Sequence, residues 1–221
     1  GRLCHRPVAH IARPERSLMS PSVVVLLQPG AADWEMGPVL PVLQAYFGAR
    51  IRTASPDGKS VRTMGGVLVD VDTGYDTADI QNADLVVLIG SDAWMTFEDD
   101  PLTARLKART QAGGRTAAIC AATLALARAG ALDARPHTSN SQPFLSENVP
   151  AYEGKSTYRD VAHAVSDGVV VTAPGSAPAS FAVACAALLD PARQAEVVGY
   201  WNMVRGEFEA LGVELGPIWK G

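Results

Sequence analysis

Cysteine, aromatic residues and positive charge are all scarce in this sequence of 221 residues. Three cysteines spread along the chain exclude a disulfide framework and a CxxC metal site, and they favour a reducing cytoplasm. The net charge of −4 and the lack of a Lys/Arg cluster argue against nucleic acid as a partner. No apolar run reaches the roughly 18 residues that a membrane span needs, so no membrane association is expected.

The beginning of the chain differs from the remainder. Residues 1–20 are rich in Arg, contain Cys4 and show no apolar periodicity. They also lack the apolar segment of a signal peptide. We therefore expect residues 1–20 to be an N-terminal extension, flexible or left over from cloning, and residues 21–221 to form one domain.

Strand-like and helix-like segments alternate along the chain. Short continuous apolar runs, typical of strands buried on both faces, occur at residues 23–27 and 85–89, and residues 116–120 and 169–172 are further predicted strands. Segments of helical pattern occur at residues 34–47, 102–111, 121–129, 178–189 and 192–211. A further strand at residues 51–54 and a hairpin at 61–71 complete the pattern. This alternation predicts an α/β fold with a mostly parallel sheet and ligands at the carboxyl ends of its strands.

The segment around Cys120 has the features of a nucleophile elbow. Cys120 lies between a predicted strand and a predicted helix, and Ala118 and Ala122 are as small as such a sharp turn requires. A helix N-terminus favours the thiolate, so we expect a lowered pKa for Cys120, and the N–H of Ala121 could hold an oxyanion. The alternative is an inert cysteine that ends a buried strand, as we expect of Cys185 within its apolar helix.

Four segments resemble the ThiJ/PfpI superfamily, which includes the Parkinsonism-associated protein deglycase and has a fold like that of class I glutamine amidotransferases. Residues 23–35 resemble its first strand and acidic turn, and residues 117–121 resemble its elbow. Residues 85–91 and 172–178 resemble two of its loops. The resemblance implies a flavodoxin-like three-layer sandwich with a mostly parallel central sheet and a nucleophile elbow, usually assembled as a homodimer.

The resemblance also implies roles for individual residues. The carboxyl of Glu35 would hydrogen-bond the sulfur of Cys120, so that the two groups titrate as one coupled unit. Ser91 and Ala121 would supply oxyanion N–H groups, although position 91 is often Gly in the family. Further candidates for the substrate pocket are Gly90, Trp94, His137 and Asn140; Trp34 also falls beside its mouth. No cofactor and no metal is implied.

One departure from the family pattern lies downstream of the elbow. Many members carry a histidine in the string that corresponds to residues 137–140, where this chain has Asn140 instead. An amide cannot accept and return a proton near neutral pH, which puts a Cys-His-Glu protease triad in doubt. His137 remains open to two interpretations, a pocket residue or a structural one.

The leading hypothesis is an enzyme in which Cys120 attacks a small electrophilic carbon and Glu35 transfers protons, as in the isocyanide hydratases of the family. Amidase or glutamine-hydrolysing chemistry and glyoxalase or deglycase chemistry are the enzymatic alternatives. A redox-sensing or stress protein with an oxidisable Cys120 is an alternative of another class, and a partner-binding protein with a vestigial site is a third. The expected partners are a small-molecule substrate and a second copy of the chain.

Overall fold

The computed structural model describes residues 20–210, which contain nine strands and six α-helices. The strands are β1 (Ser22–Leu26), β2 (Arg50–Ser55), β3 (Val61–Arg62), β4 (Leu68–Val69), β5 (Thr73–Gly74), β6 (Leu85–Leu88), β7 (Thr116–Ile119), β8 (Val165–Ser166) and β9 (Val170–Ala173). The helices are α1 (Asp33–Pro41), α2 (Asp100–Gln111), α3 (Thr123–Arg128), α4 (Gln142–Asn148), α5 (Pro178–Leu189) and α6 (Gln194–Ala210).

Seven of these strands form one sheet in the order β5-β2-β1-β6-β7-β9-β8, and β3 and β4 form a separate hairpin. The neighbouring strands are parallel except for β8, which runs antiparallel to β9. The register places Leu26, Leu88 and Ala118 side by side. The segments that follow β1, β6 and β7 therefore begin at the same edge of the sheet, where these strands have their carboxyl ends. The strand order reverses between β1 and β6, which is where sheets of this type bind ligands.

Alternate residues of the central strands point to opposite faces of the sheet and belong to two separate hydrophobic clusters. Val23 and Val25 of β1 belong to the cluster covered by α1, α5 and α6. Val24 and Leu26 belong to the cluster covered by α2, α3 and α4. This arrangement is a three-layer sandwich, and it confirms the predicted α/β fold with its mostly parallel sheet.

The structure differs from the prediction mainly at helix boundaries and short elements. The helix predicted over residues 34–47 ends as an α-helix at Pro41 and continues as a π-helical turn, Val42–Tyr46, because prolines within it remove backbone donors. The helix predicted from residue 121 begins as a 3-10 turn, Cys120–Ala122, before α3. The elements α4, β5 and β8 were not predicted because such short segments carry no periodic apolar pattern.

The predictions at both ends of the chain fall largely outside the described residues. Apart from Ser20, the predicted extension over residues 1–20 lies there, as does residue 211 of the last predicted helix. Among the helices within residues 20–210, none has the length and apolar character that crossing a membrane would require.

Arg109 fastens the starts of the two strands that carry the elbow and its neighbour. Its side chain is almost fully buried, and the guanidinium donates to the carbonyls of Ile80, Ala83 and Arg115 at 2.6, 2.8 and 2.6 Å. It forms no salt bridge within the part of the chain that the structure describes. The buried cation is therefore stabilised by backbone carbonyls just ahead of β6 and at the start of β7.

Replacing this guanidinium should destabilise the fold strongly. We expect Arg109→Lys to lower the free energy of unfolding by about 3 kcal/mol, because the ammonium group of lysine cannot donate hydrogen bonds to all of the buried carbonyls that the guanidinium reaches. Urea unfolding followed by circular dichroism measures the change. Arg52→Lys, at an exposed site, is the matched control and should leave the midpoint unchanged. Equal midpoints for the two variants would contradict the role assigned to Arg109.

Candidate active site

Cys120 occupies a strained backbone position at the carboxyl end of β7. Its φ of 59° is in the left-handed region, where no other non-glycine residue of the described chain is found. This conformation costs roughly 1–2 kcal/mol for a residue with a Cβ and is concentrated at functional sites. Ala118 and Ala122, two residues to either side, are fully buried in the crowded turn. The local geometry is that of the nucleophile elbow predicted from the sequence.

Glu35, in the first turn of α1, is the buried carboxyl of the site. Its side chain has no exposed surface, and Oε2 accepts the backbone N–H of Gly90 at 2.7 Å. Oε1 has no hydrogen-bond partner among residues 20–210. Burial raises the pKa of Glu35 from 4.5 to about 7, against the opposing effects of the Gly90 N–H and the Cys120 thiol. The carboxyl is therefore able to gain and lose a proton near neutral pH.

Two glycines allow Glu35 and Cys120 to approach each other. A Cβ placed on Gly90 would lie 2.5 Å from Oε2 of Glu35 and 2.6 Å from Cβ of Cys120. A Cβ placed on Gly175 would lie 2.7 Å from Sγ of Cys120 and 3.3 Å from Oε1 of Glu35. Because real Cβ atoms essentially never approach heavy atoms below 3.0 Å, both positions require glycine. The carboxyl and the thiol thus share one space enclosed by glycine backbone.

Asn140 completes the surroundings of the sulfur. Its Nδ2 donates to Sγ of Cys120 at 3.3 Å, and its Oδ1 accepts the N–H of Gly175 at 2.9 Å. The Gly175 donor fixes the orientation of the amide, because only the oxygen can accept that hydrogen bond. Nδ2 is thereby directed to the sulfur as a donor. The contact made by an ionisable ring in a Cys-His pair is made here by a neutral amide.

The sulfur does not have the lowered pKa that the helix-terminus argument predicted, and that prediction is wrong. Burial and the charge of Glu35 raise the pKa of Cys120 above its usual value, whereas hydrogen bonds from Asn140 and the Ala121 N–H lower it. The helix also begins only at Thr123 and spans six residues, so its dipole is small. The thiol therefore depends on the hydrogen bonds from Asn140 and the Ala121 N–H for its ionisation, which burial and the charge of Glu35 oppose.

The structure places the backbone donors predicted for an oxyanion near this space. The N–H of Ala121 acts on the sulfur of Cys120. The N–H of Ser91, next to Gly90, has no hydrogen-bond acceptor within residues 20–210. The Ser91 hydroxyl donates to the carbonyl of Pro29 at 2.5 Å. The role of these two N–H groups as an oxyanion hole remains a prediction.

Two of the pocket candidates are core residues. His137 is fully buried, with Nδ1 2.7 Å from the Arg135 carbonyl and Nε2 2.6 Å from the Tyr152 hydroxyl. Trp94 is also fully buried, and its indole N–H donates to the carbonyl of Ile89 at 2.8 Å. Both side chains are enclosed and satisfied by protein groups, so the expectation that they line the pocket is corrected here.

Sequence reasoning did not identify the contacts that converge on Gly175. Trp34 is 49% exposed, and its indole N–H donates to the Gly175 carbonyl at 3.0 Å, while the Gly175 N–H donates to Asn140. The only sequence signal was the resemblance of residues 172–178 to a family loop, which did not single out one residue. Trp34 is thereby fixed at the edge of the space that contains Cys120.

Comparison with known proteins places this arrangement in a family. The sequence profile described as the DJ-1/PfpI family matches residues 21–188, which include Glu35, Cys120, Asn140 and Gly175. The chain belongs to the DJ-1/PfpI family. A relative in Bacillus subtilis (strain 168), the uncharacterized protease YoaZ, is 33% identical over 166 residues, which cover 72% of this chain and 79% of YoaZ.

Solved structures from the DJ-1/PfpI group resemble the whole fold. The DJ-1 superfamily protein Atu0886 from Agrobacterium tumefaciens is 36% identical with a TM-score of 0.74, covering 85% of this chain and 99% of its own. A thiJ/pfpI family protein from Bacillus anthracis is 27% identical with a TM-score of 0.77, covering 89% and 98% of the two chains. These similarities agree with the sandwich architecture and with the family resemblance seen in the sequence.

The pH dependence of thiol alkylation should report the coupled pair. We expect iodoacetamide to label Cys120 before Cys185, because Cys185 is fully buried and burial raises its pKa well above the usual value. The rate at Cys120 should rise only above the pH at which an ordinary thiol ionises, because burial and the charge of Glu35 raise the pKa of Cys120. In Glu35→Gln, which lacks the charge that raises the pKa of Cys120, the rise should move to lower pH. Peptide mapping by mass spectrometry measures both, and preferential labelling of Cys185 would refute the assignment.

The buried carboxyl should also make the protein less stable in alkaline solution. Because the folded state raises the pKa of Glu35 from 4.5 to about 7, folding holds an extra proton in that interval, and the associated stability is lost as the pH rises through it. We expect Glu35→Gln, which cannot ionise, to be more stable than the parent by about 1–3 kcal/mol at pH 8 and equally stable at pH 4. Thermal unfolding at both pH values tests this, with the exposed Glu153→Gln as control.

Proposed function

We propose that this protein is a cysteine-dependent enzyme that adds Cys120 to a small electrophilic carbon, with Glu35 as the group that delivers and accepts the proton. The observation that supports it is the contact of Sγ with the amide of Asn140, at the position where a histidine was expected. Among the described residues, Glu35 is the one ionisable group whose charge acts on the pKa of Cys120. A reaction that needs one nucleophile and one acid–base group fits this set.

Hydration of an isocyanide is the specific reaction that we assign to the site. The thiol proton passes to Glu35, the sulfur bonds to the terminal carbon, and the carboxyl returns the proton to that carbon, giving a thioimidate. Water then adds to the same carbon, its proton being taken up by Glu35. Glu35 passes that proton to the nitrogen, the carbon–sulfur bond breaks, and the remaining hydroxyl proton returns to the sulfur, which releases an N-substituted formamide and restores the thiol. The N–H groups of Ser91 and Ala121 would stabilise charge next to the reacting carbon.

Amide or peptide hydrolysis is the second candidate, favoured by the word protease in the names of the two Bacillus subtilis relatives, YoaZ and YdeA. An amide leaving group must be protonated as it departs, and a histidine beside the cysteine usually supplies that proton. In this chain His137 is buried against Tyr152, and Asn140 has no proton to exchange near neutral pH. These contacts support addition chemistry over hydrolysis.

The remaining parts of the proposal concern the surroundings of the enzyme. We propose a small-molecule substrate because Gly90 and Gly175 close tightly around the sulfur. A homodimer is proposed on the family resemblance, and a cytoplasmic location on the small, odd number of cysteines. No cofactor is required for the chemistry proposed.

A panel of substrates tests the assignment. The purified protein should convert an aryl isocyanide to the corresponding formamide, and should act at least tenfold more slowly on glutamine, methylglyoxal and casein. Cys120→Ala and Glu35→Gln should each lower kcat/KM by about 100-fold or more, as expected for a nucleophile and an acid–base group. Asn140→Ala should lower it by about tenfold or less. Product formation is followed by liquid chromatography, with circular dichroism to confirm folding.

Three other outcomes of these assays would contradict the proposed reaction. Casein or glutamine hydrolysis that depends on Cys120 would replace the proposed reaction by the protease or amidase alternative. Loss of activity in a folded His137→Phe variant equal to that of Cys120→Ala would show that a histidine takes part. Turnover of no substrate, together with conversion of Cys120 to a sulfinate under mild peroxide, would favour the redox-sensing class.

A further inference from the structure

A chain of two buried hydroxyl groups joins the elbow to the segment that carries Asn140. Oγ of Ser139 and Oγ1 of Thr123 are 2.7 Å apart, and Oγ1 of Thr123 is 2.7 Å from the carbonyl oxygen of Cys120. Ser139 is 2% exposed and Thr123 is fully buried, so water does not compete for these hydrogen bonds. The pair therefore connects the backbone of Cys120 directly to the residue that precedes Asn140.

The direction of the hydrogen bonds follows from counting protons. A carbonyl oxygen only accepts, so the single hydroxyl proton of Thr123 is donated to Cys120. The hydrogen bond between the two hydroxyls must then be donated by Ser139 to Thr123. The chain of hydroxyls runs from Ser139 through Thr123 to the carbonyl of Cys120, the one non-glycine residue within 20–210 that has a left-handed backbone. Each hydrogen bond in such a buried chain polarises and strengthens the next.

Asn140 is thus fixed at both of its ends. Its backbone follows Ser139, which is bonded to the elbow through Thr123, and its side-chain oxygen is bonded to the N–H of Gly175. The side chain itself is exposed, so burial does not hold the amide in place. The backbone ahead of Asn140 is also held by Thr172, which accepts the N–H of Thr138, and by Tyr158, which donates to the carbonyl of Ser139, but only the hydroxyl chain links it to the elbow itself.

We propose that Ser139 and Thr123 are positioning residues for the chemistry of Cys120, and that their hydroxyl chain keeps Nδ2 of Asn140 within hydrogen-bonding distance of the sulfur. The assignment rests on the proposed function only in that the sulfur is the nucleophile. Its direct consequence is a property of the free protein: when the chain is broken, the thiolate loses the Asn140 donor and Cys120 becomes harder to ionise.

The rate of Cys120 alkylation by iodoacetamide between pH 6 and 10 measures this property without a substrate. We expect Ser139→Ala to slow alkylation at pH 7 by about tenfold and to move the pH profile upward, because a hydrogen bond to a charged group is lost. Thr123→Val should do the same, whereas Thr123→Ser, which keeps the hydroxyl, should match the parent. Ser146→Ala, whose hydroxyl bonds only within α4, is the control for a neutral change nearby.

A double-mutant cycle distinguishes positioning from a general structural effect. If Ser139 acts through Asn140, Ser139→Ala should cause no further slowing in a protein that already carries Asn140→Ala. Additive effects, or a Ser139→Ala profile equal to that of the parent, would overturn the proposal. Should Ser139→Ala fail to fold, as judged by thermal unfolding, the same cycle is measured with Thr123→Val and the same outcomes apply.

The same measurements separate this proposal from the proposed function. A shifted alkylation profile in Ser139→Ala, together with no turnover of isocyanide by the parent protein, would support the hydroxyl chain and reject the reaction. Turnover by the parent with an unshifted profile in the variant would do the reverse.

Discussion

The lack of room for a side chain at positions 90 and 175 is the constraint on which the site depends. A Cβ at position 90 would overlap both Cys120 and Glu35, and a Cβ at position 175 would overlap the sulfur of Cys120 and lie close to Oε1 of Glu35. Because the backbone comes so close, a carboxyl with no exposed surface faces a thiol on a left-handed residue. The strain at Cys120 and the burial of Glu35 both raise the free energy of the folded state, and the well-packed sheet beneath them compensates for it.

Electrostatics at the sulfur follow from this packing. Burial alone would keep both the carboxyl and the thiol protonated at neutral pH. The Gly90 N–H, the Ala121 N–H and the Asn140 amide each favour an anion at the same place. One negative charge is accommodated in the pair, and a second is opposed by the first. The site is therefore built to hold a single mobile proton between two heavy-atom positions.

The sequence was a good guide to the sheet and to the two reacting groups, for physical reasons. The buried strands β1, β6, β7 and β9 are apolar except for at most one Ser or Thr each, a pattern visible without any tertiary information. Cys120 follows such a run between two small residues, and a local turn imposes that requirement. Glu35 was identified by the family resemblance rather than by its own pattern.

The remaining features depend on contacts that are distant in sequence. The orientation of the Asn140 amide depends on the N–H of Gly175, which is 35 residues away in the sequence, and no local sequence pattern predicts that contact. His137 was ambiguous because Tyr152, which encloses it, belongs to a segment without periodicity. The pKa of Cys120 was mispredicted because it reflects burial by the whole fold and a neighbouring carboxyl, whereas the prediction considered only the adjacent helix. Such quantities become accessible only when the packing is known.

The hydrogen bonds of Asn140 have a consequence for how this site can evolve. The side chain accepts one hydrogen bond from Gly175 and donates another to the sulfur of Cys120. A neutral imidazole has the same combination of one acceptor and one donor. The codons for asparagine and histidine differ by a single nucleotide, so the framework at this position is one point mutation away from carrying an ionisable base. Lineages of this fold can therefore exchange a fixed dipole for a titrating ring without rebuilding the loops around it.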